Sequence, residues 1–577
     1  MTQTEGDGDQ GFEQFERFLK EWSRRDFLRR MGATAAYAAF SVGILDLLEA
    51  CGNPAPSTSL TPVKGGKLIE GNISDISSFS SINYGDVNSL QMAMLNFDGL
   101  LSISAKGDNL PMLASALPTV SSDQLTFTFK LRPNLKWSDG QPITADDVVF
   151  TYNLMFSADT KDFVSRFRAN LEGFVQSVIA TDQQTVVFKF SQVLASFLDV
   201  HCRYGILPKH VLGSVTPKAL NTHDFFHGPT VSSGVFKFVR WDKGQQVVLA
   251  RNENYWAGAS HLDQYIFKVV TDAVVLAQQL KTGELDTGNP DASQFDNLKT
   301  VNTITTQAFI NPGFVYYQFN LDPTKPSSKI FGDKNVRKAL HTALDRTAMA
   351  KAVYFGQAVP ADSVLPPTTW AYNPNVSPKY PFDKAAAEKL LDDAGWAKGS
   401  DGIRAKGGVR MSFEVNTNSG NKVRENLIQV MQQQWKDIGV DASPRAIAFQ
   451  TLVTQIRSTK TFQVILIGIA NGDTDPDQTT LWTTKGIGSQ GLNGMSYSNP
   501  QVDQLMDSAL QSTDRNKRKP IYAQIQNILA DDLPAPILFY PNWLWGTNKR
   551  VQNFNVGPYN TYQGRPWMKD VFVSDGK

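Results

Sequence analysis

Residues 125–152, LTFTFKLRPNLKWSDGQPITADDVVFTY, constrain the fold of this chain more than any other stretch. Leu125, Phe127, Phe129 and Leu131 alternate with Thr126, Thr128, Lys130 and Arg132, the two-residue period of a strand with one buried face. Pro133-Asn134 ends that strand, and Asp139-Gly140 makes a turn whose glycine tolerates positive φ. Thr144 followed by Asp147 has capping-box spacing, so a helix begins at Ala145 and carries Val148, Val149 and Tyr152. Taken alone, the adjacent Asp146 and Asp147 and an exposed Trp137 give the stretch the look of a site.

At 577 residues the chain is too long for one core and is expected to divide into two or three domains. Its 56 basic and 55 acidic side chains leave no polyanionic partner implied, which argues against nucleic-acid binding. Cys51 and Cys202 are the only cysteines, so no disulfide framework is expected. His223 and His227 have a metal-compatible spacing, but their turn-like run lacks a third ligand; neither metal nor cofactor is expected. Gly486, Gly488 and Gly491 spell a dinucleotide fingerprint without the strand and helix that give it meaning, and read as a loop. A Gly-x-Ser-x-Gly elbow and a His-Glu-x-x-His helix are both missing from the sequence. A hydrolase built from dispersed residues stays open on these grounds.

The first sixty-odd residues read as an address. Ser23-Arg24-Arg25-Asp26-Phe27-Leu28-Arg29 matches a twin-arginine export motif, and residues 31–48 form a short apolar run interrupted by Asp46. Leu48-Glu49-Ala50-Cys51 resembles a lipoprotein cleavage box, with Glu49 where a small residue is usual and Cys51 as the residue to be lipidated. Residues 1–50 are therefore expected to be a leader. Residues 51–63, rich in Pro, Ser and Thr, are expected to be a tether holding the protein to the membrane surface without spanning it. The apolar run at 464–470 is too short to span and reads as a buried strand.

Several further segments stand alongside residues 125–152. They are Phe97-Asp98-Gly99-Leu100, Pro111-Met112-Leu113-Ala114, Asn252-Glu253-Asn254-Tyr255-Trp256, Leu280-Lys281-Thr282-Gly283-Glu284-Leu285-Asp286, and the Val336 to Leu340 and Asp345-Arg346 helix. In order and spacing, from Gly65 to Tyr540, they resemble the family 5 extracellular solute-binding proteins of ABC importers. That resemblance implies a mixed α/β, two-lobed, type II periplasmic-binding-protein-like fold. It implies lobe one at 64–308 with an inserted subdomain at about 86–222, lobe two at 309–538, and a return to lobe one at 539–577. It further implies a non-enzymatic receptor that traps a solute, expected to be a peptide, and presents it to permease subunits in the membrane; a monomer is the default expectation. An oligosaccharide, a nickel chelate or another solute remains the alternative cargo.

The resemblance also points to contact residues. In GIANGDTDPDQTTLW (468–482), a strand feeds a loop carrying Asp473, Asp475 and Asp477 and ending at Trp482. Peptide-binding relatives have Gly-Trp-x-x-Asp here, whose aspartate neutralises the peptide ammonium. In this chain Ile469 replaces the tryptophan and Gly472 the aspartate, with Asp473 one place later. Either the loop shifts by one residue or the ligand is not held by an α-amino group. Tyr84, Tyr317, Asn320, Trp370 and Asn418 complete the expected ligand-contact set. Asp139, Gly140 and Asp147 are expected to form the fold instead.

Overall fold

The alternating run forms the strand Thr126–Lys130, with Phe127 and Phe129 turned inward. It pairs antiparallel with Thr119–Val120 and Thr185–Phe190, and the latter with Val175–Asp182, giving a separate four-stranded sheet. This computed structural model describes residues 61–165, 167–469, 474–488, 491–562 and 565–575. The twin-arginine motif, the apolar run, Cys51 and Asp473 lie outside the described residues.

Gly140 takes φ +90°, and helix α1 (Ala145–Phe156) starts where the capping residues place it. The Asp147 carboxylate accepts the Thr144 N–H at 2.9 Å and the Lys209 N–H at 2.9 Å, so it ties the helix start to the short helix Lys209–Leu212. Trp137 departs from its expected exposure. It is fully buried in the apolar cluster that includes Phe129, Tyr152 and Phe188, because the turn folds its side chain back under the sheet. An indole on a turn is driven inward by the area it removes from water.

The main sheet has twelve strands. In chain order they are β1 (Lys67–Asn72), β2 (Phe236–Asp242), β3 (Gln246–Arg251), β4 (Gln264–Val269), β5 (Thr287–Gly288) and β6 (Ile304–Ile310). There follow β7 (Phe314–Phe319), β8 (Ala358–Pro360), β9 (Ser412–Asn418), β10 (Asp441–Ile447), β11 (Val464–Ile469) and β12 (Ile537–Asn548). Their spatial order is β10-β9-β11-β7-β12-β5-β1-β4-β3-β2, with β6 and β8 also paired to β12. β12 belongs to both halves of this sheet. Its first residues pair with β7 and β8, and its last with β5 and β6. Only residues 311–313 separate β6 from β7, so the chain passes between the halves there a second time.

Each half has its own core. Leu68, Phe236, Tyr265 and Phe267 pack with Val551, Met568 and Val573, so both ends of the described chain build one half. In the other half β7 is buried on both faces. Val315, Tyr317 and Phe319 join a cluster with Trp435, whereas Phe314 and Tyr316 join one with Trp482 and Tyr522. Helix α2 (Lys422–Lys436) covers the first cluster and begins where Asn421 Oδ1 accepts the Arg424 N–H at 3.0 Å. Helix α3 (Arg515–Asp532) covers the second. No helix among the described residues is long and apolar enough to cross a membrane.

Candidate functional site

A cleft of about 720 Å³ opens beside β6. Thr306, Gln307, Ala308 and Phe309 of β6 form its floor. Ala105 and Lys106 line one part of its wall, Val556, Gly557, Pro558 and Tyr559 another, and Thr368 faces them from the second half. Among the described strands β6 pairs with β12 alone, so its other edge keeps unpaired backbone donors and acceptors where the cleft meets it. Gly107, with φ +89°, lets the 105–107 loop lie against Tyr559; a Cβ there would sit 3.2 Å from that ring and 3.0 Å from Thr474 Cγ2.

Beyond the cleft the halves touch through charged groups. Arg515, in the first turn of α3, donates to Asp199 Oδ1 at 2.7 Å and to Gly107 O at 3.1 Å. Asn109 Nδ2 also donates to Asp199 Oδ1 at 2.7 Å, and Arg203 donates to Thr474 Oγ1 at 3.0 Å and Asn109 Oδ1 at 2.9 Å. Gln124 Oε1 accepts from Thr513 N and Oγ1 at 2.8 and 2.9 Å. These contacts join residues 107–203 to residues 474–515 and hold the two halves together.

The sequence matches the family described as bacterial extracellular solute-binding proteins, family 5 Middle, over residues 110–490. The chain belongs to that family. The oligopeptide-binding protein AppA of Bacillus subtilis (strain 168) is 31% identical over 521 residues, 89% of this chain and 94% of AppA. The structure of AppA in complex with a nonapeptide superimposes with a TM-score of 0.73 at 29% identity, covering 89% of this chain and 100% of AppA. NikZ from Campylobacter jejuni, in complex with Ni(L-His), shares the fold at 24% identity and a TM-score of 0.72, covering 87% of this chain and 99% of NikZ. The mixed α/β fold of this family 5 chain is therefore one that its neighbours use around different cargoes.

Within this family 5 structure the residues expected to meet ligand are dispersed. Tyr317 is fully buried in the core, its hydroxyl 3.2 Å from His341 Nδ1, and Asn320 is spent on backbone, donating to Lys460 O and Phe462 O at 2.9 Å each. Trp482 is core as well, its indole N–H donating to Gln478 Oε1. Asp475, 2% exposed, receives a two-pronged contact from Arg518 at 2.6 and 2.8 Å. Burial pushes the Asp475 carboxyl upward against the pull of that guanidinium. Tyr84, Trp370 and Asn418 are partly buried. Tyr84 packs at 5.8 Å from the Phe167 ring, and Asn418 Oδ1 accepts from Arg424 Nη1 at 2.8 Å. Trp370 lies under the Arg515 and Arg518 guanidiniums at 5.6 and 5.4 Å, beside the Thr368 wall of the cleft. No cluster of three or more His, Cys, Asp or Glu with metal-holding geometry occurs among the described residues. Sequence reasoning missed Lys106, Thr368 and Tyr559 and the open edge of β6. No local pattern marks them; the fold alone brings them together.

Proposed function

We propose that this chain is the extracytoplasmic receptor of an ABC importer, closing two lobes on a peptide and presenting it to the membrane permease. The observation that carries the reading is the unpaired edge of β6 on the floor of the cleft. A strand edge offers donors and acceptors at the repeat of an extended polypeptide, and peptides are captured by adding a strand to such an edge. The kinship with AppA, an oligopeptide-binding protein, supports the same cargo. In this reading lobe one is 64–308, with a subdomain at about 86–222, lobe two is 309–538, and residues 539–577 return to lobe one. β12 and the 311–313 link act as the hinge. Ligand that touches both lobes only when they meet shifts the population toward the closed form. Acylation of Cys51 would hold the receptor, a monomer, at the outer face of the membrane, and no bond of the cargo is broken.

The test is a thermal titration of the mature protein with pools of random tri- to nonapeptides. A ligand at a hundred times its Kd stabilises the folded state by about 2.7 kcal/mol, readily seen as a rise in Tm. Peptides recovered intact by mass spectrometry after prolonged incubation would agree with a receptor. A rise given by oligosaccharides or nickel–histidine but by no peptide pool would overturn the peptide reading, and turnover of the peptides would overturn the receptor reading.

A further inference from the structure

The start of helix α3 is crowded with positive charge. Arg515, Lys517, Arg518 and Lys519 fall within its first five residues, and no acidic side chain shares the first turn. Cations there oppose the positive end of the helix dipole, so the turn gains from any carboxylate brought against it. Arg518 finds one in its own half, Asp475. Arg515 finds one in the other half. Asp199, its side chain 7% exposed, takes Arg515 Nη2 on one oxygen at 2.7 Å and Nε on the other at 3.2 Å. Arg518 also reaches across, donating to Ala195 O at 3.4 Å, and Thr474 Oγ1 donates to Asp199 O at 3.3 Å. A strained residue meets the same helix start. Gln124 takes φ +60°, a conformation that side chains disfavour, on the turn before the strand Thr126–Lys130. Its Oε1 accepts from Thr513 N and Thr513 Oγ1, immediately before α3 begins. The partners from the first half, Gly107, Gln124, Ala195, Asp199 and Arg203, all lie in the subdomain of the proposed lobe one.

We propose that the start of α3 and this subdomain form a latch that favours the closed lobes whatever the cargo. The latch presupposes the two-lobed receptor reading and adds what holds the closed form together besides ligand. Every donor and acceptor in it belongs to the protein, so its contribution is the same for any peptide in the cleft. When the lobes part, Arg515 and Asp199 return to water and the helix dipole again faces unanswered cations. Closing therefore carries a fixed electrostatic gain, to which a ligand adds its own contacts. Arg515 keeps 29% of its side chain exposed, so that gain is modest and screened by salt. A modest gain raises the closed population without locking it, and cargo can still enter. It also broadens selection, because a shared closing step lifts weak and strong cargo by one factor. The left-handed backbone of Gln124 fits the same role: it holds a side-chain amide where only a closed lobe two can meet it.

The experiment combines X-ray scattering of the unliganded mature protein with calorimetric titration of three random tri- to pentapeptide pools, whose side chains are acidic, basic or apolar. Arg515→Gln and Gln124→Gly are each expected to enlarge the unliganded radius of gyration. Each is expected to weaken all three pools by one common factor, about fivefold for Arg515→Gln and about twofold for Gln124→Gly. Glycine suits the left-handed turn, so Gln124→Gly removes the amide without disturbing the fold, and its unliganded Tm should stay within about 3 °C of the parent. Asp199→Asn added to Arg515→Gln is expected to cost little more than Arg515→Gln alone, since both act on one contact. Raising salt from about 50 to about 500 mM is expected to weaken the parent more than Arg515→Gln. Factors that differ more than about threefold between the acidic and basic pools would make Arg515 a contact of the cargo, overturning the latch and leaving the peptide reading standing. Either readout, scattering or affinity, unmoved in both variants would overturn it too. Should no pool bind the parent, the peptide reading falls, and scattering of the unliganded variants still decides the latch.

Discussion

Replacing Asp475 by Asn separates a structural carboxylate from a ligand-binding one. Asp475 and Arg518 are 2% and 1% exposed at the side chain and meet through contacts of 2.6 and 2.8 Å. Arg518 also donates to Ala509 O at 2.8 Å and to the Tyr522 hydroxyl at 3.1 Å, so it cannot swing out to water without breaking α3 from its neighbours. The Asp475→Asn variant would leave a guanidinium buried without its counter-charge. Breaking one side of a buried pair in this way costs about 3–5 kcal/mol. At roughly 2 °C per kcal/mol for a large domain, Tm is expected to fall by about 6–10 °C. Arg518→Met is expected to be similarly destabilising, and the double variant much less so than the sum, because it removes both charges together. Calorimetry of the four proteins, alongside peptide titration at a temperature where all are folded, provides the check. Affinity is expected to stay within threefold. A Tm unchanged within 1 °C together with lost peptide binding would refute the assignment and return Asp475 to the ligand.

Other perturbations follow from the same contacts. Burial pushes the Asp98 carboxyl from 3.8 up to about 8, partly opposed by hydrogen bonds from Trp256 and Tyr255. The folded protein thus keeps a proton that the unfolded chain has lost; that stabilisation is whole below pH 3.8 and fades as pH rises toward 8. Asp98→Asn is therefore expected to gain on the parent by up to about 1.4 kcal/mol per pH unit across that window in urea unfolding, and parallel pH profiles would contradict the shift. Arg515→Ala removes the partner of Asp199 across the contact between the halves. Because that arginine is partly exposed, about 1 kcal/mol of closure is lost, and peptide affinity falls about fivefold with a larger radius of gyration by X-ray scattering. Unaltered scattering and affinity would show that the contact does not bias closure. Gly107→Ala puts a methyl group 3.0 Å from Thr474 Cγ2 at φ +89°, and a drop in Tm of a few degrees with weakened peptide binding is expected. A variant as stable and as competent as the parent would mean that the loop relaxes freely.

Local signals in the sequence carried much of this fold. The strand at Thr126–Lys130 and the start of α1 depend on neighbours within a few residues, and such neighbours are readable in order. The cleft was harder. β7 is buried on both faces, so its run of FVYYQF has no polar alternation to say which side chains face ligand and which face core. That is why Tyr317 and Asn320 could be singled out but not given an orientation. Asp475 reads as one more aspartate of an acidic loop until Arg518 arrives from α3, forty-three positions on. Trp137 reads as a turn residue until the four-stranded sheet closes over it. β6 is an unremarkable ITTQAFI, and its open edge is a property of the strand order.

The sharing of β12 bears on how the molecule is made. β1 is among the first strands to leave the ribosome, yet the sheet in which it sits is completed through β5 by β12 and packed by Val551, Met568 and Val573. Its half cannot finish folding until nearly the whole chain has been synthesised, and a pairing so distant in sequence forms slowly. During that interval an apolar strand edge waits unprotected in the compartment of synthesis, where it can pair with the wrong chain. A route that ships finished bodies would shut that window before the membrane is crossed, which is the route the Arg24-Arg25 pair leads one to expect.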